Sequence, residues 1–227
     1  MKLPKETEGA PHGRWYADAC GTAFALELLG ERWAMLIVRE LMLGGRRFSD
    51  LRASLPAISA KVLTERLAGL EASGVLTRRQ LPPPAATQVY ELTEWGYRAE
   101  PLLQELGRWA ALSPQHDPTL PMSAVSMMLS LRTMFDPARA GEREAWIGFD
   151  IAGETFLARL KGGQLPIARR PLADPDFAFT ARDAQVLVAL FYGKVDPEAL
   201  EQDGALAISG NRAAALDFVS LFDIPKL

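Results

Sequence analysis

Between positions 44 and 80 the chain places seven basic side chains, Arg46, Arg47, Arg52, Lys61, Arg66, Arg78 and Arg79, against three acidic ones, Asp50, Glu65 and Glu71. Guanidinium and ammonium groups at this density neutralise phosphates. The short hydroxyls among them, Ser59 and Thr64, have the size to reach base edges. The chemistry on offer is recognition of a nucleic-acid duplex. A net charge of −3 over 227 residues does not oppose it, because residues 1–115 carry +1 and residues 116–227 carry −4. A phosphate meets the local potential, not the mean.

Bond-making chemistry finds no comparable set. The two histidines, His12 and His116, stand apart from any Cys or carboxylate at metal-ligand spacing, so no metal site is expected. Ser113, His116 and Asp117 have the residue types of a hydrolytic triad, but close neighbours in one short segment cannot hold its geometry. A Walker loop, a dinucleotide glycine fingerprint and a nucleophile elbow are all missing from the sequence. The expectation is a protein without catalytic residues or cofactor. The single cysteine, Cys20, allows no internal disulfide.

The basic residues need a frame to aim them. Gly44-Gly45-Arg46-Arg47-Phe48-Ser49-Asp50-Leu51 opens a short helix, Pro56-Ala57-Ile58-Ser59 turns the chain, and Ala60 to Ser73 forms a longer helix that stops at Gly74. Two strand-like runs follow, Val75 to Gln80 and Thr87 to Leu92, joined by a tip at residues 81–86 with three prolines. Helix, turn, helix and a two-stranded wing is the order that sets one helix in a major groove and a basic hairpin on the phosphates beside it. At about 100° per residue, Leu63, Leu67 and Leu70 define the core side of the longer helix, and Lys61, Glu65 and Ala68 point away, with Thr64 on the flank. The predicted duplex contacts are Arg46, Arg47, Ser59, Ala60, Lys61, Thr64, Glu65, Arg78, Arg79, Thr87 and Gln88. Arg66 sits at the core boundary, where an ion pair is the alternative. Glu65 repels phosphate unless it accepts from a cytosine amino group or pairs with Lys61 or Arg66.

Ahead of this frame the pattern predicts a frayed tail at 1–14, a helix over 18–29 with Phe24, Leu28 and Leu29 on one side, and a helix over 32–43. Behind it a helix runs from about Tyr97 to Leu112. Three prolines between Ser113 and Pro121 then mark a linker at 113–122. The second half reads as a buried helix over 124–135, strands at 145–151, 155–160 and 164–169 in an antiparallel meander, and a further strand at 176–179. Thr180 to Asp183 starts another helix as a capping box, Asp196-Pro197 starts the next, and residues 205–208 and 211–222 close the chain as strand and helix. With no cationic start before an apolar run, and no apolar stretch near ~18 residues, neither a signal peptide nor a membrane partner is expected, and a cytoplasmic location is.

Taken in combination, the stretches Cys20, Leu28 to Trp33, Arg46 to Leu51, Ile58 to Leu67, Leu70 to Leu76 and Tyr90 to Gly96 resemble the HxlR-type winged-helix transcription regulators. That resemblance covers about residues 15–112. It implies a homodimer, built through the first and last helices of the domain, on a near-palindromic DNA operator. Where relatives often have a proline after the first cysteine, this chain has Gly21. Some relatives of this type use such a cysteine as a thiol switch; otherwise Cys20 is a small buried hydrophobe.

Residues 123–222 resemble the sterol-carrier-protein-like fold, through the meander, Phe177 to Thr180, Leu190 to Gly193 and Gly204 to Asn211. That fold implies an antiparallel sheet covered by helices around an apolar tunnel for a hydrophobic small-molecule effector. Met127, Met128, Met134, Trp146, Phe149, Phe156, Leu187 and Phe191 are its expected lining, with an ordinary closed core as the alternative. The expected class is therefore α+β: a winged helix-turn-helix domain over 15–112, the linker, and a sterol-carrier-like domain over 123–227 that binds a ligand or stabilises the dimer. The competing reading is a lipid carrier or small-molecule enzyme whose winged helix serves only to dimerise.

Overall fold

The computed structural model describes residues 16, 18–83 and 86–223, so the tail expected at 1–14 lies outside the described residues. The chain divides into two units, Met1–Glu100 and Pro101–Leu227.

In the first unit, helix α1 (Gly21–Leu29) buries Leu28 alone. Phe24 and Leu26 are exposed. The turn Gly30 to Trp33 leads to α2 (Ala34–Leu41), which buries Ala34, Ile37, Val38 and Leu41 at helical spacing. This helix is shorter than the expected 32–43 because Trp33 has a φ of +80°, outside the helical region. Helix α3 (Phe48–Ser54) follows, with Leu51 inward. Helix α4 (Ala60–Ala72) starts where the Ser59 hydroxyl accepts the Val62 amide at 3.2 Å. It buries Leu63, Leu67 and Leu70 as its periodicity requires, and the chain turns out of it through Gly74 at φ +75°.

Strands β1 (Leu76–Gln80) and β2 (Gln88–Leu92) pair antiparallel, Leu76 opposite Leu92 and Gln80 opposite Gln88. This is the wing. The helix expected from about Tyr97 to Leu112 is α6 (Glu100–Ala111), and a short helix α5 (Glu94–Tyr97), capped by Thr93, precedes it.

In the second unit the Arg108 guanidinium of α6 donates to the Thr133 carbonyl at 2.8 Å. The proline-rich stretch at 113–122 falls inside this unit, where the Gln185 amide donates to the carbonyls of Pro118 (3.2 Å) and Leu120 (2.7 Å). Helices α7 (Ala124–Met134) and α8 (Pro137–Ala140) precede a sheet of β3 (Ala145–Ile151), β4 (Glu154–Leu160), β5 (Ile167–Arg169), β6 (Phe177–Ala181) and, after α9 (Ala184–Phe191) and α10 (Pro197–Gln202), β7 (Leu206–Gly210). Helix α11 (Arg212–Val219) closes the unit.

The sheet order is β5-β4-β3-β6-β7. β3, β4 and β5 form the expected antiparallel meander, and β6 adds parallel to β3. Thr180 belongs to β6 and does not start α9; Asp183 does, accepting the Val186 amide at 3.1 Å. One face of the sheet buries Phe149, Phe156, Phe177 and Phe179.

Candidate nucleic-acid interface

Helix α4 has two sides. Its leucines are buried, while Lys61, Thr64 and Glu65 are exposed and Ala60 is half-exposed at the first turn. The Thr64 hydroxyl donates to the Ala60 carbonyl at 2.9 Å and keeps its oxygen lone pairs available to a donor. Among the described residues no ion pair involves Lys61 or Glu65, so the alternative pairing of Glu65 is not formed. Arg66 instead turns back to the α1–α2 turn. Its guanidinium pairs with Glu31, and its Nε donates to the Arg32 carbonyl at 3.3 Å.

Arg47 is exposed immediately before α3, its backbone amide donating to the Asp50 carboxylate at 3.2 Å. Arg46 corrects the expectation of a phosphate contact. It is 7% exposed, with its guanidinium 3.3 Å from the fully buried Glu40 carboxylate, which also accepts from Arg39 at 2.8 Å. The cause lies in the backbone. The Arg46 amide donates to the Tyr90 carbonyl at 2.9 Å and the Tyr90 amide donates to the Arg46 carbonyl at 2.8 Å, drawing the segment against the wing. Gly45 permits that approach: a Cβ there would sit 3.3 Å from the Tyr90 carbonyl oxygen and from a Val89 methyl.

On the wing, Arg78 and Arg79 are exposed but paired. Arg78 Nε donates to Glu71 at 2.7 Å, and Arg79 Nε to Glu91 at 2.6 Å. The Arg78 guanidinium holds the Glu71 carboxyl below its ordinary range, and Glu71 raises Arg78 in turn. A phosphate must displace these carboxylates to take either arginine. Gln88 is exposed and Thr87 half-exposed, the Thr87 carbonyl accepting the Leu81 amide at 2.8 Å. Pro84 and Ala85 of the tip lie outside the described residues. The roles of Glu71, Glu91 and Glu40 as arginine partners escape a reading of the sequence. For Glu71 and Glu91 a signal existed in their place on the helix and strand beside the wing arginines.

Cys20 is exposed at the N-terminus of α1, not buried. The backbone amides of Thr22 and then Ala23, at the start of α1 beside the sulfur, lower the thiol from its ordinary value. A lowered value means more thiolate at a given pH. The pH profile of iodoacetamide alkylation is therefore expected to have its midpoint below that of free cysteine. A midpoint at or above it would show that the helix-start amides do not act on the sulfur in solution.

The expected ligand-lining residues do not come together as one set. Met127, Met128, Phe149, Phe156, Leu187 and Phe191 are fully buried, with Met134 half-exposed at the end of α7. Phe149 stacks on Phe179 at 5.6 Å between centroids, and Phe191 meets Phe179 at 5.4 Å and Phe222 at 5.3 Å. Trp146 is a correction. Three residues before Phe149 on β3, it faces the other side of the sheet, 36% exposed, with the Arg159 guanidinium 4.6 Å above its ring. Among the described residues no group of His, Cys, Asp and Glu could hold a metal ion, and no helix is long and apolar enough to cross a membrane.

Comparison with known proteins matches each half separately. The model of the HxlR-like helix-turn-helix family matches residues 28–117, and that of the SCP-2 sterol transfer family matches residues 134–223. The uncharacterized HTH-type transcriptional regulator YvaP of Bacillus subtilis is 42% identical over 38% of this chain and 80% of its own length. The HTH-type transcriptional regulator YodB of the same organism is 41% identical over 38% of this chain and 77% of its own. The solved reduced form of YodB is 36% identical, covers 44% of this chain and all of that one, and has a TM-score of 0.40.

Proposed function

This chain belongs to the HxlR-like helix-turn-helix family of DNA-binding transcription regulators, and on that premise we propose that it reads its operator with the N-terminal part of α4. Lys61 and Thr64 meet base edges there; Ser59, Arg47 and the wing arginines Arg78 and Arg79 hold phosphates. Thr87 and Gln88 extend the wing contact. The carrying observation is the two-sided α4, whose leucines are buried while Lys61, Thr64 and Glu65 stand exposed, with Lys61 and Glu65 free of ion pairs among the described residues.

The operator is near-palindromic and the protein a homodimer in this reading. Two apolar surfaces support a second copy: Phe24 and Leu26 on α1, and Leu102, Leu106 and the 74%-exposed Trp109 at helical spacing on α6. The SCP-2 match supports a hydrophobic small molecule as effector of the second unit. With its aromatic rings already in mutual contact, such a ligand would enter by parting them.

Salt titration tests the reading. Each phosphate neutralised adds about 0.9 to the slope of log K against log salt, so duplex binding is expected to fall steeply from about 50 to about 200 mM salt. Affinity that ignores salt, in a protein that still takes up apolar ligands, would instead favour a carrier whose winged helix only dimerises.

A further inference from the structure

Arg66 is half-buried on α4, and it meets two groups in the four-residue turn between α1 and α2: it forms an ion pair with the Glu31 carboxylate, and its Nε donates to the Arg32 carbonyl at 3.3 Å. An ion pair and a hydrogen bond on one planar guanidinium fix a rotation as well as a distance. The turn itself has little freedom. Trp33, a bulky residue, is held at φ +80°, with the Arg32 guanidinium 5.3 Å from its ring centre. A Cβ on Gly30 would fall 2.4 Å from the Leu26 carbonyl oxygen, so the turn hugs the last turn of α1. At about 100° per residue, Arg66 lies roughly 140° from Lys61 and roughly 160° from Thr64, on the rear of the helix relative to both.

We infer that Arg66 is a positioning residue for sequence reading: it locks the rotation of α4 to the α1–α2 turn, so that α1 and the Lys61–Thr64 surface move as one body. The inference rests on α4 being the reading helix. A readout surface must be held within about 0.5 Å and about 10–20° of its productive geometry, and the Arg66 contacts add a polar anchor to the packing of the three leucines. The lock also gives α1, an exposed apolar helix, a mechanical route to the DNA-facing side. Arg66 keeps 26% and Glu31 39% of its side chain in solvent, and an ion pair so solvated adds little to global stability. The effect belongs in discrimination, not in melting temperature.

The test uses the full-length chain. A preferred duplex is first selected from a randomised pool. The affinity ratio between that duplex and a random one is then measured for wild type, Arg66→Met, Glu31→Gln, the double variant and Arg66→Lys. Each single change is expected to lower the ratio about tenfold, comparable to removing one base-edge interaction. The double variant should fall no further than either single, and Arg66→Lys should recover part. Affinity for the random duplex and its salt slope should stay unchanged, and the melting temperature nearly so.

If Arg66→Met weakens both duplexes alike, Arg66 grips phosphate and the inference fails. It fails also if the two effects add, or if Glu31→Gln, which removes a charge without removing volume, leaves the ratio intact. A selection that enriches nothing with the wild-type chain would instead strike the DNA-reading assignment. A preferred duplex that Lys61→Ala blurs and these variants do not would strike the lock alone.

Discussion

Glu40→Ala is expected to destabilise the N-terminal unit by about 3–5 kcal/mol, because it removes the fully buried carboxylate that both Arg39 and Arg46 contact. The magnitude comes from desolvation: a guanidinium that water scarcely reaches keeps its charge and loses a carboxylate that compensates it. Glu40→Leu with Arg46→Met should be far milder than either single change, since a buried pair replaced by apolar side chains of similar size is often close to neutral. Urea denaturation of the full chain, followed by far-UV circular dichroism, gives the four corners of the cycle. A Glu40→Ala effect below about 1 kcal/mol would mean that Arg46 reaches water and is not held as described.

That pair also shows what the sequence could and could not convey. Arg46 and Arg47 are adjacent arginines before a helix, indistinguishable by composition, yet one is interior and the other exposed. The difference is set by the mutual backbone hydrogen bonds between Arg46 and Tyr90, 44 positions apart, and pairing at that distance leaves no local signature. The α4 leucines were legible because a helical period is local. The meander was legible because Ala152-Gly153 and Lys161-Gly162-Gly163 lie between its strands. The parallel placement of β6 on β3 was not, since it joins residues about 30 apart. Trp146 does not belong with the interior rings, and the period of two in β3 already separates it from Phe149. The break between α5 and α6 is marked only by Pro101 just inside α6, a position proline favours.

The second large effect is expected at Lys61. Lys61→Ala and Thr64→Ala should change which duplex is preferred, each weakening binding to the selected sequence by about 1–3 kcal/mol and to a random one by little. Arg79→Ala should weaken all duplexes about equally and lower the salt slope by about 0.9 if it grips one phosphate. Competition binding against selected and random duplexes at two salt concentrations separates the two patterns. Equal, non-selective effects from all three variants would mean that α4 touches only the backbone of the duplex.

The hydrogen bonds from Arg46 to Tyr90 have a consequence for how these molecules behave in a crowd. A lone two-stranded hairpin offers two open rows of amides and carbonyls, each a template for strand addition and aggregation. On β2 the middle of that row is already occupied by the chain's own residue 46. The remaining row belongs to β1, where the hydrated, ion-paired side chains of Arg78 and Arg79 must be desolvated before a second strand can dock. The hairpin can therefore stay unpaired and solvent-facing at high concentration without recruiting its own kind.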